Sequence, residues 1–349
     1  PSVLPEEALR HADHVIAGEG ESIWPRFLRD FQRGDPKALY RGTPCPVSSI
    51  PQPRWDILDD RHYLAHAVQA SRGCVFDCDF CSTKAFSGQG LRLRPVDVVV
   101  DEMKRLKESE PNKTFGFADN DILADPAWAR RFAEALREMS VNWTGYATCR
   151  AADHPELLRR LAQSGCLSLV IGFESFSPAS LASVNKYGNR VDRYRKAVQS
   201  AQEAGIAVVG SFVLGLDGDR PDVFERTAEF IRRNHIPLVN LSLLTPYPGT
   251  RIYRRFERQG RLLHRDWSRY DRRHACFRPK NMTPRELEEG LQWLEKAVGR
   301  PESLAARLVR FLGDDDASSP LASGLSPRDT LSAATKLPRN LSAREARML

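Results

Sequence analysis

The sequence predicts an α/β fold, a partial (β/α)6 barrel with an N-terminal α/β fragment and a helical C-terminal extension. Three observations carry this prediction. Short apolar runs at 65–70, 114–118, 143–148, 167–173, 207–214 and 239–244 read as strands, recurring roughly every 30 residues. Helical stretches lie between them, and strand alternating with helix implies parallel strands joined by right-handed crossovers. There are six such units, whereas about eight close a barrel of this type, so the barrel is incomplete.

Taken in order, residues 14–18 read as a short strand. Residues 21–31 read as a helix with Ile23, Trp24, Phe27, Leu28 and Phe31 on one face. From 34 to 55 the chain carries Pro36, Pro44, Pro46, Pro51 and Pro53, a density that predicts a linker without regular structure. Residues 1–55 are thus expected to be the end of an α/β domain plus a linker, and 56–265 the barrel. Within the barrel, Val96, Val99, Val100, Met103 and Leu106 form a helical stripe. So do Leu157, Leu158 and Leu161, and likewise Val223, Thr227, Phe230 and Ile231. After Arg251 the rhythm stops. Residues 268–279 read as irregular, 284–298 as a helix opened by a Thr283/Glu286 capping box, and 302–312 as another helix. These belong to a helical extension over 266–313. The stretch 314–349, rich in Ser, Ala, Pro and Arg, is expected to be disordered.

Composition narrows the function classes. No run reaches the ~18 apolar residues of a membrane-spanning helix, and no basic-then-apolar leader opens the chain. The chain begins with Pro1 rather than Met, so the expectation is that the start of a longer chain is missing. Seven cysteines, an odd count without an export signal, argue for reduced thiols in the cytoplasm rather than a disulfide framework. The net charge of +7 is concentrated between Arg251 and Arg278, where ten arginines meet only Glu257, Asp266 and Asp271. That segment reads either as a solvated face or as a contact surface for an anionic partner.

The chemistry is concentrated in Ser71-Arg72-Gly73-Cys74-Val75-Phe76-Asp77-Cys78-Asp79-Phe80-Cys81, directly after the first barrel strand. Thiolates are soft ligands suited to iron–sulfur clusters or zinc. Structural zinc wants a fourth ligand, and Cys45, Cys149, Cys166 and Cys276 are isolated, with no histidine pair near the cysteine run. Three thiolates on a four-iron cluster leave one iron open, which suits catalysis.

The spacing Cys-x3-Cys-x2-Cys, with Phe80 as the aromatic before the last cysteine, resembles the signature of the radical S-adenosylmethionine (SAM) superfamily. The resemblance covers residues 64–253. It implies a 4Fe–4S cluster on Cys74, Cys78 and Cys81, with SAM chelated at the open iron and cleaved by one electron to methionine and a 5′-deoxyadenosyl radical. It also implies an electron donor such as flavodoxin or ferredoxin. Other strand ends match the family in order, and carry over Phe80, Asp119, Glu174, Lys186, Ser211, Gly215 and Thr245 as cofactor-binding residues. Plainer readings stand beside these. Glu174 can be a carboxylate at a helix start, Lys186 a solvated lysine, and Thr245 part of a proline–glycine turn. For the run between Gly210 and Gly215 the reading is functional, since glycine inside a strand marks close backbone approach, as a flat adenine ring would require.

The opening segment through Gly18-Glu19-Gly20-Glu21 resembles the end of the cobalamin-binding domain that precedes one branch of this superfamily. Residues 277–283 and the following helices resemble the extension of the hopanoid C-methylase type. The resemblance therefore implies cobalamin-linked C-methylation of a small-molecule or lipid substrate, with cobalamin possible in the full-length protein. Neither His11 nor His14 fits the axial-histidine pattern of such domains. Three alternatives remain open on the sequence. They are a cobalamin-independent radical enzyme, an RNA-modifying methylthiotransferase, and an iron–sulfur protein that only carries electrons. Nucleic acid is the less favoured partner, because no second cysteine cluster precedes the barrel and no small RNA-binding barrel follows it.

Overall fold

The computed structural model describes residues 2–59, 63–88, 90–300 and Arg307. The N-terminal fragment holds α1 (Pro5–Ala8), β1 (Val15–Ala17), α2 (Trp24–Gln32) and β2 (Leu39–Arg41), and β1 and β2 pair in parallel. This corrects the reading of 34–55 as structureless. The prolines flank Leu39–Arg41 and leave its donors free, so a short strand forms between them. The apolar face of α2 is mostly uncovered. Ile23 is buried just ahead of the helix, whereas Trp24, Leu28 and Phe31 are exposed.

Next come β3 (Ala65–Val68), then β4 (Ser71–Cys74), α3 (Thr83–Ser87) and β5 (Gly90–Leu93). The strand expected over 65–70 ends two residues early because the chain turns there into an antiparallel β4–β5 hairpin. That hairpin was not legible as strands, since its residues show no apolar alternation.

The repeats follow as α4 (Val96–Ser109), β6 (Thr114–Phe117), α5 (Pro126–Arg137), β7 (Trp143–Thr148), α6 (Pro155–Gln163) and β8 (Cys166–Glu174). The chain continues through α7 (Pro178–Ser183), α8 (Tyr194–Glu203), β9 (Ala207–Leu214), α9 (Val223–Arg233), β10 (Leu238–Leu243), α10 (Arg251–Arg258) and α11 (Pro284–Gly299). The sheet order is β10-β9-β8-β7-β6-β3, and every pairing is parallel. It is the expected six-stranded half-barrel.

Strand alternation sorts the side chains onto two faces. On β9, Val208, Phe212 and Leu214 are buried beneath the helices, whereas Val209, Ser211 and Val213 face the concave side and are only partly covered. Phe117, Phe132 and Trp143 meet edge to face, and Phe173, Phe176 and Phe212 stack, so the core lies between sheet and helices. Asp125 caps α5 by accepting from Ala127 N and Trp128 N, with Pro126 in the first turn. The Thr283/Glu286 capping box forms as predicted. The stretch 268–279 has no α-helix, only the end of a 3-10 turn at Trp267–Arg269, but Phe277 is buried and stacks on Phe256 with ring centroids 4.8 Å apart. The helix expected over 302–312 and the tail 314–349 lie outside the described residues, apart from Arg307.

Candidate iron–sulfur and cofactor site

The loops at the carboxyl ends of the parallel strands converge on the cysteine hairpin. Cys74 ends β4, opposite Gly90 on β5. Gly73 has φ of +85°, and a Cβ there would lie 2.0 Å from the Gly90 carbonyl, so only glycine lets the strands close beside Cys74. Cys78 and Cys81 follow in a loop held from several directions. Asp79 N donates to Val184 O at 2.9 Å, and Asn185 Nδ2 donates to Asp77 O at 2.7 Å. Arg251 of α10 donates from Nε to Asp79 at 2.7 Å and from a terminal nitrogen to Asp77 at 2.8 Å. On the other side, the Cys81 thiol donates to Thr83 Oγ1 at 3.2 Å, Thr83 donates to Asn120 Oδ1, and Asn120 Nδ2 reaches Gly73 O at 2.8 Å.

All seven cysteines are free thiols. Burial pushes the Cys78 thiol up to about 11, and the neighbouring Cys81 and Cys74 add to the effect while Lys186 opposes it. Thiols held protonated in this way by burial give up their protons to a metal centre rather than to water. Of the other cysteines, Cys149 faces Gly172 O beside the Glu174–Lys186 pair, Cys45 meets the Arg72 guanidinium at 3.9 Å, Cys166 faces Ser168 O, and Cys276 faces Arg269 O. The loop therefore offers three thiols within electrostatic reach of one another, a donor set that fits a 4Fe–4S cluster with one open iron.

Beside the thiols lies a buried ion pair. Glu174 closes β8 at a bulge, with φ of +66°, and its Oε1 is 2.9 Å from Lys186 Nζ. Glu174 is not a helix cap, a role that falls to Ser177, which accepts from Ser180 N. Nor is Lys186 solvated, because its side chain is only 11% exposed. Burial works against its charge, but Glu174 and the Cys78 thiol hold its pKa above the usual lysine range. Its ammonium stands 6.0 Å from the Phe80 ring centroid, within cation–π reach. Ser211 pairs with Gly172 across β8 and β9, so it flanks this pair on the concave face.

Other predicted residues sit differently. Asp119 is buried and turns toward the hairpin. It accepts from Ala70 N at 3.0 Å and from the Ser71 hydroxyl, and burial raises its pKa. Its carboxylate is thus occupied in fixing the start of β4. Gly215, with φ of +92°, begins a turn where a Cβ would meet Leu287 of α11, so packing and turn geometry account for the glycine. Thr245 is buried and donates to Leu243 O at 3.2 Å within the turn after β10.

Sequence reasoning missed Asp121 and Asp219. Asp121 is buried and accepts from Leu123 N and Thr148 Oγ1, tying the ends of β6 and β7 together. Asp219 accepts from Ser175, Ser180, Gly215 N and Leu216 N, tying the turn after β8 to the turn after β9. A carboxylate in a short glycine-rich run, as in Leu216-Asp217-Gly218-Asp219, was the available signal. Half of the ten arginines in the segment from Arg251 to Arg278, namely Arg251, Arg255, Arg261, Arg265 and Arg273, pair with carboxylates of the chain.

The described residues include no helix long and apolar enough to cross a membrane. Residues 68–231 match the family model described as the Radical SAM superfamily. The chain is 32% identical over 316 residues to bacteriochlorophyllide d C-12(1)-methyltransferase of Chlorobaculum tepidum, covering 88% of this chain and 69% of that protein. It is 29% identical over 230 residues to hopanoid C-2 methylase of Rhodopseudomonas palustris, covering 63% of this chain and 43% of that protein. Among solved structures, the cobalamin-dependent SAM radical enzyme OxsB superposes with a TM-score of 0.68 at 15% identity, over 96% of this chain and 56% of that one. The radical SAM methyltransferase TsrM of Kitasatospora setae superposes with a TM-score of 0.63 at 18% identity, over 74% and 56%. The chain thus spans between under half and about two thirds of the length of these methyltransferase relatives.

Proposed function

The chain belongs to the radical SAM superfamily, and from that premise we propose that it serves C-methylation of a small-molecule or lipid substrate, linked to cobalamin in the full-length protein. The observation that carries the reading is the loop that sets three thiols within electrostatic reach of one another and of the buried Glu174–Lys186 pair. Cys74, Cys78 and Cys81 would hold the 4Fe–4S cluster, which when bound supplies the electron that cleaves SAM. The chain's own groups do the placing. Lys186 offers a cation to the carboxylate, and Glu174 a carboxylate to the amino group, of the cofactor's methionine part. Phe80 and Ser211 border that position, and the helix layer keeps bulk water from the sheet's other face. Relatives named as methyltransferases support the transfer of a methyl group.

Cobalamin is a separate matter. The described fragment offers one parallel strand pair, the helix α2 and the single turn α1, too small to enclose a corrin. His14 is engaged within it, its ring against Phe27 and its Nδ1 3.0 Å from Lys37 O. These residues alone do not fit the group. The exposed Trp24, Leu28 and Phe31 do form a face on which a further layer of such a domain would pack. An acidic electron carrier such as flavodoxin or ferredoxin is the proposed reductant, and the free thiols suit a reducing cytoplasm.

The test is anaerobic reconstitution followed by analysis for iron and for 5′-deoxyadenosine. The wild-type protein should hold about four irons, and alanine at Cys74, Cys78 or Cys81 should abolish SAM cleavage. Full cleavage by any one of these variants would refute the reading.

A further inference from the structure

The cysteine hairpin carries an electrostatic problem of its own. Register places Arg72 on β4 directly opposite Arg92 on β5, and like charges facing each other across two strands destabilise the pairing. Both side chains are largely covered, with 16% and 21% exposure, so water cannot screen them well. The compensating charges come from the N-terminal fragment. Glu19 binds the Arg92 guanidinium through both oxygens and lies 3.4 Å from Arg72. Glu21 takes Arg72 in a two-point contact at 2.6 and 3.2 Å. Glu19 also accepts from Cys45 N at 2.8 Å, and Arg92 donates to Cys45 O at 2.7 Å. Glu19, Glu21 and Cys45 bring ligand atoms within 4.8 Å of one another. The guanidinium groups already satisfy these carboxylates, so the cluster works as a clamp rather than as a metal site.

We infer that Glu19 and Glu21 are positioning residues for the cluster, holding the two opposed arginines of the β4–β5 hairpin and thereby fixing Cys74. This rests on the reading of Cys74 as a cluster ligand. Strand alternation puts Cys74 on the same face as Arg72, two residues on, and its cross-strand partner Gly90 is two residues from Arg92. A change in strand separation at the arginine pair is therefore felt two pairs along, at the next position on the same face, which is the ligand. The same contacts bind the fragment that contains β1 and α2 to the cluster's own hairpin. Any load on that fragment is transmitted to Cys74 through two carboxylates.

The experiment uses the reconstituted full chain carrying Glu19→Gln, Arg92→Gln, or both. Two quantities are read, the rate of iron loss to a chelator and the electron paramagnetic resonance spectrum of the reduced cluster. Glu19→Gln leaves two buried cations facing one carboxylate, so iron loss should quicken by about tenfold or more and the spectrum should broaden. Arg92→Gln added to it removes the repulsion along with the missing anion, so the pair should recover most of the wild-type retention. A merely structural role would lower the melting temperature of the double variant further, without restoring the spectrum. If Glu19→Gln does not fold, Glu21→Gln, whose side chain is more exposed, should show the same effects in milder form. Wild-type iron loss and spectra in both Glu19→Gln and Glu21→Gln would overturn the inference. A wild-type protein that takes up no iron would overturn the cluster reading itself.

Discussion

Glu174 Oε1 lies 2.9 Å from Lys186 Nζ, and the pair is buried within electrostatic reach of Cys78. A buried ion pair contributes little to stability by itself, because desolvation offsets much of the attraction. In the function proposed above, its place beside the thiols serves a ligand that carries both an ammonium and a carboxylate. The strained φ of Glu174 fits this, since such backbone persists where the surroundings hold a side chain in one aim.

Glu174→Gln should therefore weaken SAM binding by about 1.5 to 3 kcal/mol, the range for a hydrogen bond to a charged group. Iron content should stay at the wild-type level, because no thiol moves. Equilibrium titration of SAM into the reconstituted protein checks this. Unchanged affinity would return the pair to a purely internal role.

Gly172→Ala tests the same pair without touching its charges. A Cβ at Gly172 would sit 2.6 Å from Glu174 Oε1 and 3.6 Å from Lys186 Nζ. The carboxylate must then swing away from its present position over the β8 backbone. SAM affinity should fall about tenfold, with a melting-point loss in the ordinary range for an overpacked site. Wild-type affinity would show that the carboxylate has room to move and that its position is unimportant.

Much of this arrangement could be read from the chain itself. The half-barrel was legible because each of its six strands is an apolar run and each intervening helix has a buried stripe, as Val99, Val100, Met103 and Leu106 do on α4. The cysteines were legible from spacing alone. The β4–β5 hairpin was not, because Arg72 and Arg92 occupy positions where a strand pattern would show apolar residues. Their partners, Glu19 and Glu21, lie about fifty residues or more away in sequence. Asp119 was legible as a strand-end carboxylate but not in its orientation, which depends on the Ala70 amide and the Ser71 hydroxyl that the turn brings to it.

The clamp also predicts a pH response. Hydrogen bonding to Arg92 holds the Glu19 carboxyl at about 2, against an ordinary value of 4.5, although burial pulls the other way. A carboxyl depressed by folding contributes stability that is fully present above its unfolded value and is lost as pH falls through the folded one. The apo protein should thus lose this contribution between about pH 4.5 and pH 2. Glu19→Gln should be less stable than wild type at neutral pH and show a shallower loss across that window. Acid titrations followed by circular dichroism give the comparison. Parallel curves for the two proteins would mean that Glu19 is not held as described.

Arg251 offers a test of how the cysteine loop is held from the outside. It bridges Asp77 and Asp79, which flank Cys78, and also donates to the Asp77 carbonyl. Its side chain is 42% exposed, so the ion pairs are partly screened and should contribute no more than about 1 kcal/mol to global stability. The effect on the loop should be larger than that figure implies. The guanidinium reaches both aspartates, whereas Lys84 meets Asp77 from α3, and without Arg251 the described contacts of α10 with this loop are the Ile252 N to Asp79 O bond and the weaker approach of Arg255 to Asp79. Arg251→Ala should therefore leave the melting temperature nearly unchanged while iron loss to a chelator quickens several-fold. Arg251→Lys, which keeps the charge but cannot present a planar fork to both carboxylates, should fall between the two. If Arg251→Lys matches wild type, charge alone holds the loop. If Arg251→Ala also retains iron normally, the inner contacts through Thr83, Asn120 and Asn185 are sufficient, and the arginine's place is on the surface.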